Sequence, residues 1–452
     1  MRRRSIAGPL ILILIGGLFL VYNLRPELPL FEMVSVYWPF LLIGWGLISL
    51  VEVVVAFAQR TPRRQGLRGG EIALIVFICL IGSAVFSAHR HGFRLGVRGM
   101  EMFGESFDYP LSSVQPAGTA RRVVFEHLRG NLQVNGVDAA EIRLTGRKSI
   151  RSFSRGDADR TDRDTPVDMV VDGDTIVVRT NQERGAENQR VSADLEVSVP
   201  RGLTVEVRGR SGDYDINDIT GDVEISSDRA DVRMARIGGS ARVDLRRSDI
   251  VRAVEVKGSL NLQGHGRDVE LENIAGLVTV NGSYSGNLEF KNLAKPLHFE
   301  SPNTDLRVEA LPGQISMDLG DLSARNVVGP MRLVTKTKDV KVEDFTNTLD
   351  LETETGDIEL IPTRLPLAKI EAKSRAGKID LTLPAKALFQ LQASTNHGEA
   401  VNDFGPPIEK EIDGRTATLK GKVGEGPAIH LTTQRGTVSV RKAGVGTSEA
   451  QL

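Results

Sequence analysis

The chain has 452 residues, of which 57 are lysine or arginine and 58 are aspartate or glutamate. This length allows two or three domains, and the near balance of charge argues against nucleic acid as a partner. Cys79 is the one cysteine, which excludes a disulfide framework and a cysteine-rich metal site. Both tryptophans, Trp38 and Trp45, lie near the N-terminus, so this part differs chemically from the rest.

The N-terminal part contains three stretches without a charged side chain, at residues 5–23, 33–51 and 72–88. Each is long enough to cross about 30 Å of hydrocarbon as a helix. We predict a membrane domain over residues 1–90, with three transmembrane helices at 5–23, 33–57 and 72–88. The later spans also argue against a cleaved signal peptide.

Flanking arginines predict how these helices are oriented. Three arginines at 2–4 precede the first helix, and four more lie between 60 and 68, in the loop before the third. Basic loops stay in the cytoplasm, so we expect a cytoplasmic N-terminus and an extracytoplasmic C-terminal domain. Arg90, Arg94 and Arg98, beyond the third helix, oppose this orientation.

Two motifs in the first two spans point to a family. Residues 8–20 read GPLILILIGGLFL and residues 38–46 read WPFLLIGWG. The glycines would let the two helices approach closely as a hairpin. Residues 5–57 resemble the LiaI-LiaF-like transmembrane region of bacterial envelope-stress proteins. This resemblance implies the bacterial cell (inner) membrane as location, with the lipid bilayer and a membrane protein as partners.

A linker and a repeat follow. Residues 91–118 show little periodicity and predict a juxtamembrane linker. Further on, an acidic or amide residue opens a unit every 16 to 19 residues, at Asp213, Asp231, Asp249, Asp268, Asn287, Asp305, Asp321, Asp339 and Asp357. Each unit holds two short runs with the alternation of β-strands. Units this short must stack, which predicts an all-β solenoid, a single-stranded β-helix with coils of about 18 residues.

The alternation also predicts a core and its corners. The inward positions are Val269, Leu271, Val278, Val280, Val340, Val342, Leu349 and Leu351. Glycines between the two strands of a unit are expected to supply positive φ at the corners, at Gly221, Gly239, Gly276, Gly313 and Gly329. Residues 151–166 alternate arginine and aspartate and predict a solvated loop. Residues 402–426 are expected to cap the last coil.

A second resemblance covers this β-rich part. Residues 193–207 read ADLEVSVPRGLTVEV, residues 355–358 read TGDI and residues 431–440 read LTTQRGTVSV. This arrangement resembles the bacterial putative-adhesin domain family, whose activity is undefined. We place the domain at 119–441 and expect a disordered tail at 442–452.

One stretch partly matches a calcium-binding loop. Asp213, Asp215, Asn217 and Glu224 occupy positions 1, 3, 5 and 12 of the template, but position 6 is Asp218 instead of glycine. No other unit repeats the pattern, and the strand alternation already accounts for it. We therefore predict no metal site here.

Catalysis is disfavoured by the same sequence. The coils are uniformly short, and no phosphate loop, nucleophile elbow or zinc-binding helix pattern occurs. His89 and His91 flank Arg90 after the third span, and two histidines alone do not hold a metal. We predict a protein that is not an enzyme, with no catalytic, cofactor-binding or metal-binding residues.

Two functional interpretations remain. In the first, the protein is an envelope-stress sensor or scaffold, because a mere tether would need one span and not three. In the alternative, it is an adhesin-like module whose solenoid face binds glycan, peptidoglycan or protein. The corresponding partners are a membrane protein, an envelope polymer, and a second copy through the solenoid ends, and no nucleic acid.

Overall fold

The computed structural model describes residues 105–185 and 190–443. The membrane helices predicted at 5–23, 33–57 and 72–88 lie outside the described residues, as does most of the predicted tail. Within the described part of the chain, no helix is both long and apolar enough to cross a bilayer.

The described residues form strands, one α-helix and one 3-10 turn. The helix is α1 (Arg155–Asp164) and the 3-10 turn is Gln182–Arg184. The strands up to residue 274 are β1 (Glu105–Pro116), β2 (Arg122–Arg129), β3 (Leu132–Val137), β4 (Glu141–Ser152), β5 (Asp168–Asp172), β6 (Thr175–Arg179), β7 (Arg190–Pro200), β8 (Thr204–Asn217), β9 (Val223–Ile237), β10 (Ala241–Val256) and β11 (Leu260–Ile274).

The strands beyond residue 274 are mostly shorter. They are β12 (Val278–Tyr284), β13 (Leu288–Leu293), β14 (Leu297–Ser301), β15 (Thr304–Met317), β16 (Asp321–Thr335), β17 (Asp339–Phe345), β18 (Leu349–Thr355), β19 (Ile358–Ile361), β20 (Ile370–Ala376), β21 (Ile379–Leu383), β22 (Phe389–His397), β23 (Ala400–Asp403), β24 (Glu409–Asp413), β25 (Thr416–Val423), β26 (Ala428–Arg435) and β27 (Val438–Lys442). Strand β1 lies within the stretch 91–118 that the sequence predicts to be a linker.

Two compact units divide the described residues. One contains 105–107, 150–162 and 190, and it includes most of α1. The segment 151–166 was predicted to be a solvated loop; most side chains of α1 are exposed, but the segment forms a helix and not a loop. The Oγ of Ser154 accepts the N–H of Asp157 at 3.1 Å and donates to its carboxylate at 2.8 Å, which caps the helix start. Ala158 and Thr161, three residues apart on one helix face, are buried.

The other unit is the solenoid, and each of its coils has two sides. In β9 the first side is residues 223–227 and the second is 231–237. Strands β8 to β11 stack in parallel, so that Val223 lies beside both Val205 and Ala241. Neighbouring strands in such a stack are about 4.8 Å apart. The inward side chains of successive coils therefore form one continuous core.

The predicted core positions are confirmed. Each is at most 3% exposed, and the set comprises Val269, Leu271, Val278, Val280, Val340, Val342, Leu349 and Leu351. Val342 pairs with Ala324 on one neighbouring coil and with Leu360 on the other, as the stacking requires.

The recurring acidic residue has a structural cause. Oδ1 of Asp231 accepts the backbone N–H of Asp249, the opening residue of the next coil, at 2.8 Å. Oδ1 of Asp339 accepts the N–H of Asp357 in the same way, also at 2.8 Å. A short side chain with an acceptor oxygen is needed for this bond. The interval of about 18 residues in the sequence is thus the distance along the chain from one coil to the next.

Glycine has a different role at the corners from the one predicted. Among the five predicted glycines only Gly329 has positive φ, at 87°. A Cβ added to Gly276 would lie 2.3 Å from the carbonyl oxygen of Gly258, so glycine is required there for close stacking. Positive φ is instead adopted by other residues at equivalent corners, namely Asp218, Arg236, Glu255, Asn273, Asn292, Asn326 and Asp344. Asparagine and aspartate tolerate this conformation better than most residues.

One layer runs in the opposite direction to its neighbours. Strand β15 pairs antiparallel with β13 and β14 through one edge and with β16 through the other. Two hairpins make the reversals, one across Pro302 and Asn303 and one between Met317 and Asp321. Asp305 was predicted to open a coil like the others. This is wrong for the direction of the strand, because β15 runs antiparallel to its neighbours. The interval from Asp305 to Asp321, 16 residues, is the shortest in the series.

The first and last coils in sequence are not the end layers of the stack. Strand β26 lies between β20 and β22, and β27 lies between β21 and β23. Strand β2 likewise lies between β6 and β8, and β3 between β7 and β8. The segment 402–426, predicted to cap the last coil, contains β24 and β25 and covers β22. The coil it covers precedes the last one in sequence.

Candidate binding surface

The residues of the calcium template do not converge on one point. Asp213 and Asp215 lie on the second side of β8, whereas Glu224 lies on the first side of β9. Burial and the neighbouring carboxylate of Asp231 raise the pKa of Asp213. Within residues 105–185 and 190–443, no group of three His, Cys, Asp or Glu side chains could hold a metal ion. His89 and His91 lie outside the described residues.

Charged side chains cover much of the outer face as ion pairs within coils and between them. Lys341 Nζ lies 2.9 Å from Glu343 and 3.4 Å from Glu359. Arg325 lies 2.9 Å from Glu343, and the pKa of Glu343 is lowered by Lys341 and Arg325. Exposed pairs of this kind contribute little stability, and because they are satisfied they offer few unpaired groups to a ligand.

An acidic cleft of about 590 Å³ lies near the N-terminal end of the solenoid. Its charged lining consists of Asp108, Arg147, Asp194, Glu196, Asp213 and Asp215. Several of these carboxylates already have partners, since Asp194 Oδ1 accepts the N–H of Asn131 at 2.9 Å and Asp108 accepts from Ser149 at 2.6 Å. Some carboxylate oxygens of the cleft therefore already accept hydrogen bonds that hold the coils together.

A second cavity, of about 400 Å³, has the opposite charge. It is lined by Arg129, Arg210, Ser211, Asp228, Arg229, Arg246 and Arg247, and we call it the arginine groove. These residues lie where the chain passes from the first to the second side of four coils, on β2, β8, β9 and β10. Five arginines thus face one aspartate.

The groove residues form two columns that run across the coils. In the first column, Asp228 is shared between Arg246, at 3.4 Å, and Arg210, at 4.0 Å. In the second column, Arg129 lies beside Ser211, and Ser211 lies beside Arg229. Arg247, 18 residues after Arg229 and on β10, lines the same groove, and we assign it to the second column.

The arginines of the second column differ in their partners from those of the first. Within the described ranges, Arg129, Arg229 and Arg247 form no ion pair, and all three are exposed. This groove is not apparent from local sequence patterns, because its members come from separate parts of the chain. The available signal was the spacing of Arg229 and Arg247, 18 residues or one coil apart.

Two family models match the sequence. The model described as Toastrack DUF4097 matches residues 140–441, which is more than half of the chain. The model described as LiaF transmembrane domain matches residues 7–99. No match was found among the curated proteins.

Solved structures give weaker similarities. A putative cell adhesion protein from Clostridium sporogenes ATCC 15579 is 7% identical, with a TM-score of 0.14, and the match covers 74% of this chain and 100% of that one. A putative adhesin from Bacteroides fragilis NCTC 9343 is 10% identical, with a TM-score of 0.23, and the match covers 74% and 97%. At these TM-scores neither likeness bears on function.

Proposed function

The chain belongs to the Toastrack DUF4097 family, and from this premise we propose that it is a non-catalytic envelope-stress sensor or scaffold of the bacterial cell membrane. In this proposal three transmembrane helices anchor the chain and the N-terminus is cytoplasmic. The solenoid is displayed outside the cytoplasm. The helices pass its state to a membrane protein partner.

The observation that carries the proposal is the LiaF transmembrane domain at residues 7–99. It associates the chain with the membrane and with envelope stress. Residues 5–23, 33–51 and 72–88 lack charged side chains, which supports three spans. A tether needs only one span, so the additional helices favour contact with a membrane partner.

The absence of catalysis in the proposal rests on the kind of family and on the coil geometry. Neither matching family is described by a catalytic activity. Between β8 and β11 the coils follow each other through turns of a few residues, with no long loop over the outer face. Hydrolytic chemistry needs an acid and a base brought together in a cleft, commonly by such loops.

The second candidate function is an adhesin-like module that binds an envelope polymer through the solenoid surface. The arginine groove favours it, because three exposed arginines without ion pairs are available to a ligand. In this case the membrane helices would act as an anchor only.

Exchanging the membrane segment separates the two candidates. Residues 1–90 are replaced with an unrelated single-span anchor that has the same orientation, and surface labelling verifies that the solenoid is displayed. A sensor should then lose its envelope-stress response, whereas an adhesin should keep binding its target. Retention of the full stress response by the exchanged chain would rule out the sensor.

Crosslinking of the native chain in intact membranes provides a second readout. The sensor is expected to be captured with a membrane protein through residues 1–90, and this capture should disappear in the exchanged chain. Capture of envelope polymer by both chains would instead support the adhesin.

A further inference from the structure

We propose that the arginine groove is a binding site for a ligand that carries two or more phosphate groups. The site would operate whether or not the membrane segment senses stress, because it is built entirely from solenoid residues. Nothing in the membrane role requires it.

The first reason for this proposal is that the positive charge of three groove arginines is not balanced by a carboxylate in the part of the chain that the structure describes. Asp228, the one aspartate of the groove, is already shared by Arg210 and Arg246. Arg129, Arg229 and Arg247 therefore lie in one column without a counter-ion among the described residues. Arg229 and Arg247 lie on the adjacent strands β9 and β10, and like charges on adjacent strands repel each other. A bound anion would remove this repulsion.

Neighbouring carboxylates have another function. Asp231 begins the second side of β9, two residues after Arg229, and its Oδ1 accepts the N–H of Asp249 at 2.8 Å and of Ile250 at 3.1 Å. This oxygen is thereby directed at the backbone of the next coil. The carboxylates of this row stabilise the stack and do not pair with the second column.

The chemistry of the side chains selects the ligand class. A guanidinium group is planar, stays charged, and matches the oxygens of phosphate with two parallel hydrogen bonds. Ser211, between Arg129 and Arg229, adds a hydroxyl that can donate to a phosphate oxygen. These donors point to an oxyanion in preference to a neutral sugar.

The length of the column favours more than one phosphate. It crosses four coils, which at about 4.8 Å per step is roughly 14 Å from end to end. One phosphate spans only part of that distance, whereas a chain of phosphates, or neighbouring phosphate headgroups in a lipid surface, would engage several arginines at once. The shared chemistry is the phosphate oxyanion.

The test uses the full-length protein in phosphatidylcholine nanodiscs. Binding of inorganic tripolyphosphate is measured by calorimetry at physiological salt, together with the melting temperature. The parent should bind saturably and melt at a higher temperature with the ligand. The triple variant Arg129→Gln, Arg229→Gln, Arg247→Gln should bind at least tenfold more weakly and gain no thermal shift.

A control triple variant removes the same charge from elsewhere on the solenoid. Arg233→Gln, Arg242→Gln and Arg252→Gln change exposed positions of β9 and β10 outside the groove. The control should bind tripolyphosphate within twofold of the parent. An equal loss of tripolyphosphate affinity in both triple variants would show that net charge alone causes the effect, and it would overturn the proposal. Absence of saturable binding by the parent would overturn it as well.

The source of the phosphate is distinguished by a second arm. The same proteins are compared in nanodiscs of phosphatidylcholine alone and with added phosphatidylglycerol. If the lipid headgroup is the ligand, phosphatidylglycerol should lower the apparent affinity for tripolyphosphate in the parent and raise its melting temperature. A soluble phosphate ligand predicts no difference between the two membranes. Folding of both triple variants is verified by their circular dichroism and cooperative melting.

Discussion

The aspartate that opens a coil stabilises the coil that follows it. Its side-chain oxygen reaches the backbone of the next layer, as Asp231 does with the N–H groups of Asp249 and Ile250. Corner residues are linked between layers in a similar way, since Arg236 donates to both oxygens of Asp218 at 2.7 and 2.8 Å. These contacts join residues 18 or 19 positions apart. Local sequence spacing is thereby converted into stacking of the layers.

Removing the aspartate should weaken this stacking. We expect Asp231→Ala to lower the free energy of unfolding by about 1 to 2 kcal/mol, because two backbone donors lose their acceptor. Asp231→Asn keeps an acceptor oxygen and should recover most of the loss. Urea unfolding followed by circular dichroism measures both variants. If asparagine costs as much as alanine, then the charge and not the hydrogen bond is what matters.

A charge in the core should be far more costly. Val342 is fully buried between Ala324 and Leu360, so Val342→Asp places an ion in a dry interior. We expect a loss of more than about 3 kcal/mol in the free energy of unfolding. The matched control is Val171→Asp on β5, where the side chain is 53% exposed and the cost should be small. Similar melting of Val342→Asp and the parent would contradict the stacking register.

Strand direction could not be derived from the alternation of apolar residues. In β15 the inward residues Leu306, Val308, Ile315 and Met317 alternate with polar ones, and this pattern is the same when it is followed from either end. The sequence therefore predicted that β15 lies in the core, which is confirmed, but not that it runs antiparallel. The signal for the reversal lay in the hairpin residues Pro302 and Asn303, which favour a tight turn.

The second hairpin of this layer should depend on pH. The carboxylate of Asp318 accepts the N–H groups of Asp321 and Gly320, each at 2.8 Å, and these bonds lower the pKa of Asp318. A carboxyl group whose pKa is lower in the folded state stabilises the fold above its unfolded value and loses this effect as pH falls through the folded one. The difference in melting temperature between the parent and Asp318→Ala should therefore narrow below about pH 4. A constant difference across that range would contradict the assignment.

The last coil in sequence lies between two other coils, and this position predicts how fast its amide protons exchange with solvent. The amide protons of β26, Ala428–Arg435, should exchange slowly with solvent although they lie near the C-terminus, because β20 and β22 flank this strand on both edges. Among the described strands, β24 (Glu409–Asp413) pairs only with β25, and it is exposed throughout, so its amides should exchange fast. Hydrogen exchange with mass spectrometry measures both. Equally fast exchange in the two strands would exclude the insertion.

At the scale of the whole molecule, regular features were predictable and long-range ones were not. The solenoid and its buried valines follow from a repeat that each coil carries, as Val278 and Val280 illustrate. The order of the layers does not follow from the repeat. The alternation of apolar residues in β26 is compatible with any neighbouring strand, so it does not indicate that β20 and β22 lie on its two edges. The arginine groove combines Arg129 with Arg229, one hundred residues later, so only the fold brings its residues together.

Labelling of single cysteines tests the proposed topology of the full chain. We expect Thr346→Cys, an exposed corner position, to react with a membrane-impermeant maleimide in intact cells. Cys79, placed by the sequence within the third span, should react poorly. Ser154 is less suitable for an engineered cysteine because its side chain caps α1. Protection of Thr346→Cys until the cells are opened would place the solenoid in the cytoplasm.

Strands β26 and β27 lie between strands that are synthesised earlier, with β20 and β21 on one side and β22 and β23 on the other. A chain that emerges N-terminus first must therefore keep these two layers apart, or separate them again, until β26 and β27 arrive. Most coils can be added in the order in which they are made, but this part of the core closes only after Ala428–Arg435 and Val438–Lys442 have been made. A chain that stops before Ala428 would display two unpaired layers, which quality-control proteases could recognise.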